Sequence, residues 1–152
     1  MTALSFAMGK FDAAIPTDRL YSQHHLWLQP VGEGSGKFRT GLTAYSVRLL
    51  QDVYFLDWHS MPPLEVRRRD EIGEVESSKA MSSLYAPAAG TIEAFNDELM
   101  QSPELINTDS YGRGWLFEMT TDDDLLTPEQ YVKLLHEVWG DTQRTLQGQV
   151  NA

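Results

Sequence analysis

The chain has 152 residues, of which 41% are hydrophobic and 22% are charged, as is ordinary for one soluble globular domain with a sizeable core. Its formal net charge of -10 argues against a nucleic-acid-binding protein, because phosphates require a basic surface. It contains no cysteine, so disulfides, thiolate catalysis and cysteine-based metal sites are excluded, and any sulfur redox chemistry must come from an attached cofactor.

The first 17 residues show little pattern and are predicted to form an N-terminal extension, with Pro16 marking the entry to the ordered domain. Phe6, Met8 and Phe11 leave two possibilities open: the segment covers a groove, or it is loose. No basic residue precedes the apolar part of this segment, so it makes a poor signal peptide. No run reaches the ~18 apolar residues of a membrane span. We therefore expect a cytoplasmic protein.

Two strands, a short helix and a third strand are predicted next. Residues His25 to Val31 and Phe38 to Thr43 read as strands joined by the glycine-rich turn Gly32 to Gly36. A short, partly amphipathic helix is predicted over Ala44 to Leu50. The dense apolar run Val53 to Trp58 predicts another strand.

A lysine lies in a short polar link between two predicted strands. Ile72 to Val75 precedes the link, which runs from Glu76 to Ala80, and Leu84 to Ala86 follows it. Two strands joined in this way form a hairpin, and a residue in the link points into water. Lys79 is therefore placed where an enzyme could acylate its amine. The alternative is an ordinary solvated turn lysine.

One charged segment precedes this hairpin in the sequence, and another lies further along the chain. Arg67 to Arg69 is the one basic cluster, and it reads either as a solvated loop or as a docking patch beside the lysine hairpin. Asp122 to Asp124 lacks the spacing and the distal glutamate of a calcium loop. We interpret it as a solvated acidic link.

The remaining elements before the C-terminal helix are short. Thr91 to Phe95 and Trp115 to Met119 are predicted strands. Pro103 to Ile106 is predicted to be a helical turn with Ser102 as its N-cap, since proline is favoured at the first helical position.

The C-terminal helix has the clearest signals in the chain. Thr127 is its predicted N-cap, Pro128 its first residue, and Gln130 completes a capping box. Apolar residues then recur at helical spacing, which predicts packing against the sheet: Tyr131, Leu134, Leu135, Val138 and Trp139. Gly140 is expected to break the helix. The predicted ordered domain is therefore residues 18–140, with a tail over residues 141–152.

The many short strands and single long helix predict a mainly β domain with minor helical content. No catalytic residues are expected, because no nucleophile elbow is present. No metal site is expected either. Of the four histidines, only His24 and His25 are close in sequence, and adjacent strand residues point to opposite faces.

Several segments together resemble the H protein family of the glycine cleavage system. That family carries lipoate on the lysine of a Glu-Ser-Val-Lys-Ala type motif followed by a Pro-x-x-Gly turn. The resemblance covers roughly residues 18 to 139. The matching segments are Glu76-Ser77-Ser78-Lys79-Ala80, Pro87-Ala88-Ala89-Gly90, Asn96 to Leu99, Ser102 to Asn107, Tyr111 to Phe117 and, more weakly, Tyr21-Ser22 and His25-Leu26-Trp27.

The resemblance implies a fold, a cofactor and partners. The fold is a flattened β-barrel and sandwich hybrid of the lipoyl-domain type. Lys79 bears covalent lipoate, and Glu76 and Gly90 help the lipoate-attaching enzymes to recognise it. The implied function is a non-enzymatic carrier, expected to be a monomer, that shuttles an aminomethyl group. Its partners would be glycine decarboxylase (P protein), aminomethyltransferase (T protein) and dihydrolipoamide dehydrogenase (L protein).

Three departures from the family pattern leave alternatives open. Leu26 stands where the family has a glutamate that helps to line the cleft for the loaded arm, Ser78 replaces a valine, and Arg69 replaces a glycine. Leu26 and the Arg67 to Arg69 loop leave room for a second hypothesis, an H-like lipoate-binding protein of another pathway, such as sulfur oxidation. A third is an unmodified module of the same fold, or a relay for lipoyl groups.

Overall fold

The protein is described by a computed structural model covering the backbone of residues 2–151 and the side chains of residues 2–142. Strands and short helices alternate along most of the chain, and a long helix ends it. In chain order the elements are β1 Ala3–Met8, β2 Phe11–Pro16, β3 Leu20–Tyr21, β4 Leu26–Pro30, β5 Lys37–Leu42, α1 Ala44–Leu50, β6 Val53–Trp58, β7 Leu64–Val66, β8 Glu71–Ser77, β9 Met81–Tyr85, β10 Gly90–Phe95, α2 Glu98–Gln101, α3 Leu105–Thr108, β11 Phe117–Thr120 and α4 Pro128–Asn151.

The strands form three antiparallel sheets. The largest has the order β3-β4-β5-β11-β10-β7, the second has the order β6-β8-β9, and β1 pairs with β2. Buried residues of the two larger sheets form one apolar core, with Leu28, Ile92 and Phe117 from the first and Leu56 and Val75 from the second. The predicted mainly β fold of the lipoyl-domain type is confirmed. Within the described residues it is an open sandwich, since neither larger sheet closes into a barrel.

The N-terminal extension is an ordered β-hairpin. Ala3 pairs with Pro16 and Met8 with Phe11, so the strands are in register over their whole length. One face of the hairpin packs against α1 and α4 in a second apolar cluster that includes Phe6 and Ile15. Of the two possibilities left by the sequence, the segment therefore covers part of the domain and is not loose.

The capping box predicted for the C-terminal helix is confirmed, and the structure also shows a side-chain cap on the first helix. In α4, the Thr127 N–H donates to Gln130 Oε1 at 2.9 Å and the Gln130 N–H donates to Thr127 Oγ1 at 3.2 Å, which is the predicted box. In α1, the Ser46 N–H donates to the Thr43 side chain. The prediction that Gly140 ends the last helix is wrong, because α4 continues to Asn151. A single glycine lowers helix propensity by only ~1 kcal/mol and is tolerated in a helix anchored by packing.

Two predicted elements begin two residues later than expected. The helical turn after Ser102 is present, but α3 starts at Leu105 with Glu104 as its N-cap, so Ser102 does not cap it. The last strand begins at Phe117 instead of Trp115. Here the buried Asn96 amide donates to the Trp115 carbonyl at 2.8 Å and to the Arg113 carbonyl at 2.9 Å. These bonds hold the preceding stretch as a loop.

Two kinds of feature are absent from the described residues. No helix there is long and apolar enough to cross a membrane. No group of three or more histidine, aspartate or glutamate side chains in that part of the chain is placed to hold a metal ion. The division of the chain at residues 17/18 and 140/141 stays a prediction.

Truncating Phe6 tests whether the hairpin is part of the folded domain. The Phe6 ring packs edge-on against the rings of Tyr45, His136 and Trp139, with centroids 4.9 to 6.0 Å apart. Phe6→Ala should lower the free energy of unfolding by about 3 kcal/mol, since it empties a buried aromatic site. Urea titration followed by tryptophan fluorescence measures this. Ser5→Ala, on the exposed face of the same strand, is the control, and equal stability of the two variants would contradict the packing.

Candidate functional site

The turn between β8 and β9 is organised by the Ser77 side chain. Ser77 Oγ accepts hydrogen bonds from the backbone N–H groups of Lys79 at 3.3 Å and Ala80 at 3.2 Å. The Ser77 backbone N–H also donates to the Ala80 carbonyl at 2.9 Å. These bonds close a four-residue turn whose inner polar groups are satisfied by one buried serine.

The neighbouring Ser78 ties the turn to the rest of the sheet. Its N–H donates to the Asp52 carbonyl at 2.9 Å, and its Oγ accepts from the Asp52 N–H at 3.3 Å. Asp52 directly precedes β6, the neighbour of β8. Residues 77–80 are therefore braced from inside and from the adjacent strand, and the turn is a firm support.

Lys79 projects from this support into solvent. Its side chain is exposed, and it makes no side-chain hydrogen bond or ion pair with any other residue that the structure describes. The predicted hairpin is thus confirmed, with longer strands than expected. The amine is held away from the protein by a fixed backbone and is open to an approaching enzyme.

Glu76 and Gly90, the other predicted site residues, lie in different sheets. Glu76 is near the end of β8, directly across from Met81 in β9, and so shares the hairpin with Lys79. Gly90 begins β10 in the six-stranded sheet and pairs with Val66. The structure thus groups Glu76 with Lys79 and places Gly90 in another sheet.

Gly90 occupies a position with no room for a side chain. A Cβ there would overlap the carbonyl oxygen of Thr120 on the neighbouring strand β11. The turn before it is held by Asp123, whose carboxylate accepts from the Ala89 N–H at 2.7 Å, and by Thr121, whose hydroxyl donates to the Ala89 carbonyl at 2.6 Å. Gly90 therefore has a packing role, whatever its role in recognition.

The basic segment, residues 67–69, contacts the acidic segment, residues 122–124. Arg68 lies 3.4 Å from the Asp123 carboxylate and donates to the Asp124 carbonyl at 2.9 Å. The interpretation of residues 122–124 as a merely solvated link is therefore wrong at Asp123, which is half-buried and bonded to both Ala89 and Arg68. Arg69 has a φ of 77°, a left-handed conformation that glycine adopts readily, in keeping with the family's glycine at this position.

A cleft of about 190 Å³ opens beside β9, near Lys79. Ser82, three residues after Lys79, lines it, which places the cleft on the order of 10 Å from the turn along an extended strand. Within the described part of the chain, its walls combine apolar groups with serines and histidines and include no carboxylate. The lining residues are His24, His25, Leu26, Leu42, Ser46, Leu50, Val75, Ser82, Ser83, Leu84 and Tyr85. Leu26 is only 2% exposed, so it lies in the wall of the cleft.

His25, which lines this cleft, is held in place by a hydrogen bond. Its Nδ1 is 2.9 Å from the Tyr131 hydroxyl, which in turn is 2.8 Å from the Thr43 hydroxyl. Its backbone has a φ of 69°, an uncommon conformation for a non-glycine residue. Burial, with a smaller contribution from the adjacent His24, lowers the pKa of His25 to about 4. His25 is therefore neutral at physiological pH.

His24 stands at the cleft as well, but it is less enclosed. Burial lowers its pKa, and the positive charge of Arg69 lowers it further. Both histidines thus favour their neutral forms, and none of the described lining residues brings a fixed charge to the cleft.

The sequence did not indicate the hydrogen bonds that three residues make at this site. Ser77 precedes Lys79 by two residues, a spacing typical of a serine turn, and this signal could have identified it. Asp123 and Tyr131 form hydrogen bonds to residues that are 34 and 106 positions away in the sequence. No local pattern indicates such contacts.

Replacing Gly90 should destabilise the protein irrespective of any modification of Lys79. Gly90→Ala forces a methyl group against the Thr120 carbonyl and should lower the free energy of unfolding by about 2 kcal/mol. Gly140→Ala is the control, because no atom of the described residues lies within 4 Å of its added methyl and alanine favours the helix. Thermal denaturation compares the two. A Gly90→Ala protein as stable as the wild type would refute the close approach.

Acid should destabilise the protein through His25. Its pKa is about 4 in the folded protein, against the ordinary histidine value of 6.5 in the unfolded chain. Below pH 6.5 the unfolded chain therefore takes up a proton that the folded chain does not. The associated stability is fully present above pH 6.5 and is lost as the pH falls towards 4. Near pH 5 the loss is on the order of 2 kcal/mol.

Urea unfolding of the wild type and of His25→Gln, at about pH 7.5 and about pH 5, measures this contribution. The wild type should lose more stability than the variant on acidification, while all other titrating groups cancel in the comparison. Parallel losses in the two proteins would show that His25 does not titrate as described.

Comparisons with known proteins agree with this geometry. The family model of the glycine cleavage H-protein matches residues 19–138. The glycine cleavage system H protein of Carboxydothermus hydrogenoformans is 36% identical over 130 residues, which cover 82% of this chain and 97% of that protein. The H protein of Pseudoalteromonas atlantica is 39% identical over 128 residues, covering 81% and 97% respectively.

The fold is similar to that of a solved relative. The crystal structure of a glycine cleavage system H protein from Mycobacterium marinum matches with a TM-score of 0.69 and 35% sequence identity, covering 78% of this chain and 97% of that chain. The sequence matches span nearly the whole length of these relatives, and the family model leaves out the β1–β2 hairpin. The chain belongs to the glycine cleavage H-protein family.

Proposed function

We propose that this protein is a lipoyl carrier of the glycine cleavage system, with lipoate attached covalently to Lys79. The observation that carries the proposal is the exposed Lys79 side chain, without a partner among the described residues, on a turn braced by Ser77 and Ser78. Membership of the glycine cleavage H-protein family supports a carrier role in that system.

Attachment requires an amine that an enzyme can reach and deprotonate. The Lys79 nitrogen attacks the carbonyl carbon of an activated lipoyl group, such as the acyl adenylate. A nitrogen–carbon bond forms, the bond from that carbon to the phosphate oxygen breaks, AMP leaves, and the amine loses one proton. The exposed position of Lys79 leaves room for this approach. Glu76 and Gly90 are proposed to help the attaching enzymes recognise the site.

The protein contributes placement to the later steps. Lysine and lipoate together form an arm on the order of 14 Å long, estimated from ordinary bond lengths, which can reach the cleft lined by Ser82. Lipoate supplies the disulfide and dithiol chemistry that receives an aminomethyl group. Because the turn is rigid, the arm moves and its base does not, which raises the local concentration of the reactive end at each partner.

The proposed partners are the enzymes that load, unload and reoxidise the arm: glycine decarboxylase, aminomethyltransferase and dihydrolipoamide dehydrogenase. The chain itself is proposed to be a non-enzymatic, monomeric subunit in the cytoplasm. Its net charge of -10 favours encounter with basic surfaces on these partners, since long-range charge mainly sets the encounter rate.

One observation favours a second candidate, a lipoyl carrier of another pathway such as sulfur oxidation. Among the residues that the structure describes, the cleft lining includes no carboxylate, and Leu26 stands where the family's glutamate would accept a hydrogen bond from the aminomethyl group. A cleft with two neutral histidines and three serines suits an uncharged or anionic sulfur cargo as well as an amine.

Lys79→Arg should abolish lipoylation, because arginine keeps the positive charge but has no amine that can be acylated under these conditions. Intact-mass spectrometry of protein from lipoate-replete cells of the native host should show one lipoyl group on the wild type and none on the variant. Lys133→Arg, an exposed lysine on α4, is the control and should be modified like the wild type. An unshifted wild-type mass would reject both carrier candidates.

The lipoylated wild type also separates the two pathways. Incubated with glycine decarboxylase and labelled glycine, it should take up the label on its arm, and Lys79→Arg should not. A lipoylated protein that takes up no label would exclude glycine cleavage and leave the second candidate.

A further inference from the structure

An apolar and acidic row lies across the outer face of the sheet that holds Lys79. Phe55 on β6 pairs with Glu76 on β8, and Glu76 pairs with Met81 on β9, so their side chains stand side by side on one face. Phe55 is 45% exposed and Met81 is 63% exposed. We call these three residues the Phe55–Glu76–Met81 row.

The row faces solvent and is not part of the core. Leu56 and Val75, the neighbours of Phe55 and Glu76 along their strands, point to the opposite face and are buried in the sandwich. The next cross-strand pair on the outer face is Asp57 with Glu74, which adds two carboxylates. The outer face therefore offers two exposed apolar side chains around a carboxylate, with more negative charge beyond.

The position of the row relative to Lys79 indicates what covers it. A lysine side chain reaches only about 6 Å from its Cα. Met81 is two residues from Lys79, or about 7 Å along an extended chain, and Glu76 is three residues away on the paired strand. An enzyme whose active site closes around the bare Lys79 amine must therefore come close to Met81 and Glu76, and Phe55 lies beside Glu76 on the adjacent strand.

We propose that Phe55 and Met81 extend the recognition already expected of Glu76, so that the Phe55–Glu76–Met81 row is the docking surface for the enzyme that attaches lipoate to Lys79. Its complement on that enzyme would be an apolar recess for Phe55 and Met81 and a basic residue for Glu76. This inference rests on the proposed function, because it requires Lys79 to be the lipoylated residue.

The row is assigned to the attaching enzyme and not to the later partners because of reach. After modification the reactive end lies on the order of 14 Å from the backbone, so an enzyme acting there can work without covering the base of the arm. Before modification the reacting amine lies only about 6 Å from the Lys79 Cα, so the enzyme must approach the sheet itself. Loss of the row should accordingly slow attachment and leave reactions at the end of the arm unchanged.

The test compares lipoylation of two matched double variants of the full-length chain. Phe55→Ser with Met81→Ser removes both apolar members of the row. Val31→Ser with Met61→Ser removes two exposed apolar side chains from loops elsewhere, with exposures of 37% and 81%. Unmodified proteins are incubated with lipoate, ATP and a purified lipoate–protein ligase, and intact mass gives the rate.

The row variant should show a kcat/KM for lipoylation at least about tenfold below the wild type, as loss of central contacts at an interface predicts. The control variant should stay within about twofold of the wild type. Glu76→Gln should also slow lipoylation, and added salt should slow the wild type more than Glu76→Gln. Circular dichroism and thermal unfolding establish that all variants are folded.

The same proteins, lipoylated to completion, are then assayed with dihydrolipoamide dehydrogenase. Equal turnover of the row variant and the wild type supports the assignment to attachment, whereas an equal loss in both assays would overturn it. A row variant lipoylated as fast as the control would also overturn the inference while leaving the carrier function intact. A wild type that the ligase does not modify at Lys79 would instead reject the proposed function.

Discussion

The Ser77 hydroxyl forms the hydrogen bonds on which the site depends. It gathers the backbone N–H groups of Lys79 and Ala80 beneath the turn, so the lysine Cα is fixed while its side chain stays free. A serine suits this position because it is small enough to be buried under the turn and can both donate and accept. The strands that hold Ser77 are fixed in turn by Val75, which is fully buried in the sandwich core. Rigidity at the tip thus derives from packing in the middle of the sheet.

The parts of the fold with local causes could be predicted from the sequence. The capping box of α4 lies within four residues, and the hairpin around Lys79 is bounded by apolar runs with a polar link between them. The bounds of α1 and β6 also agree with the prediction, since a partly amphipathic segment and a dense apolar run give them local signals.

Other parts of the fold depend on contacts between residues far apart in the chain, or on a local pattern that was not interpreted as a strand. The contacts Asp123–Ala89 and His25–Tyr131 join distant segments, so no window of sequence contains them. The N-terminal hairpin is different, because alternate residues there are apolar on either side of Gly9-Lys10: Leu4, Phe6, Met8, Phe11, Ala13 and Ile15. That alternation is a strand signal of its own, but such a short apolar segment at a chain end also fits a loose tail.

The hairpin also bears on how the domain can be handled as a separate unit. Tyr45 packs beneath Phe6 on one side and against the His25 ring at 4.8 Å on the other. Removing the residues before the family's boundary, near residue 19, would expose this aromatic layer to solvent and leave an apolar surface prone to aggregation. The first strand is therefore a structural part of the domain that fusion partners and purification handles should leave in place.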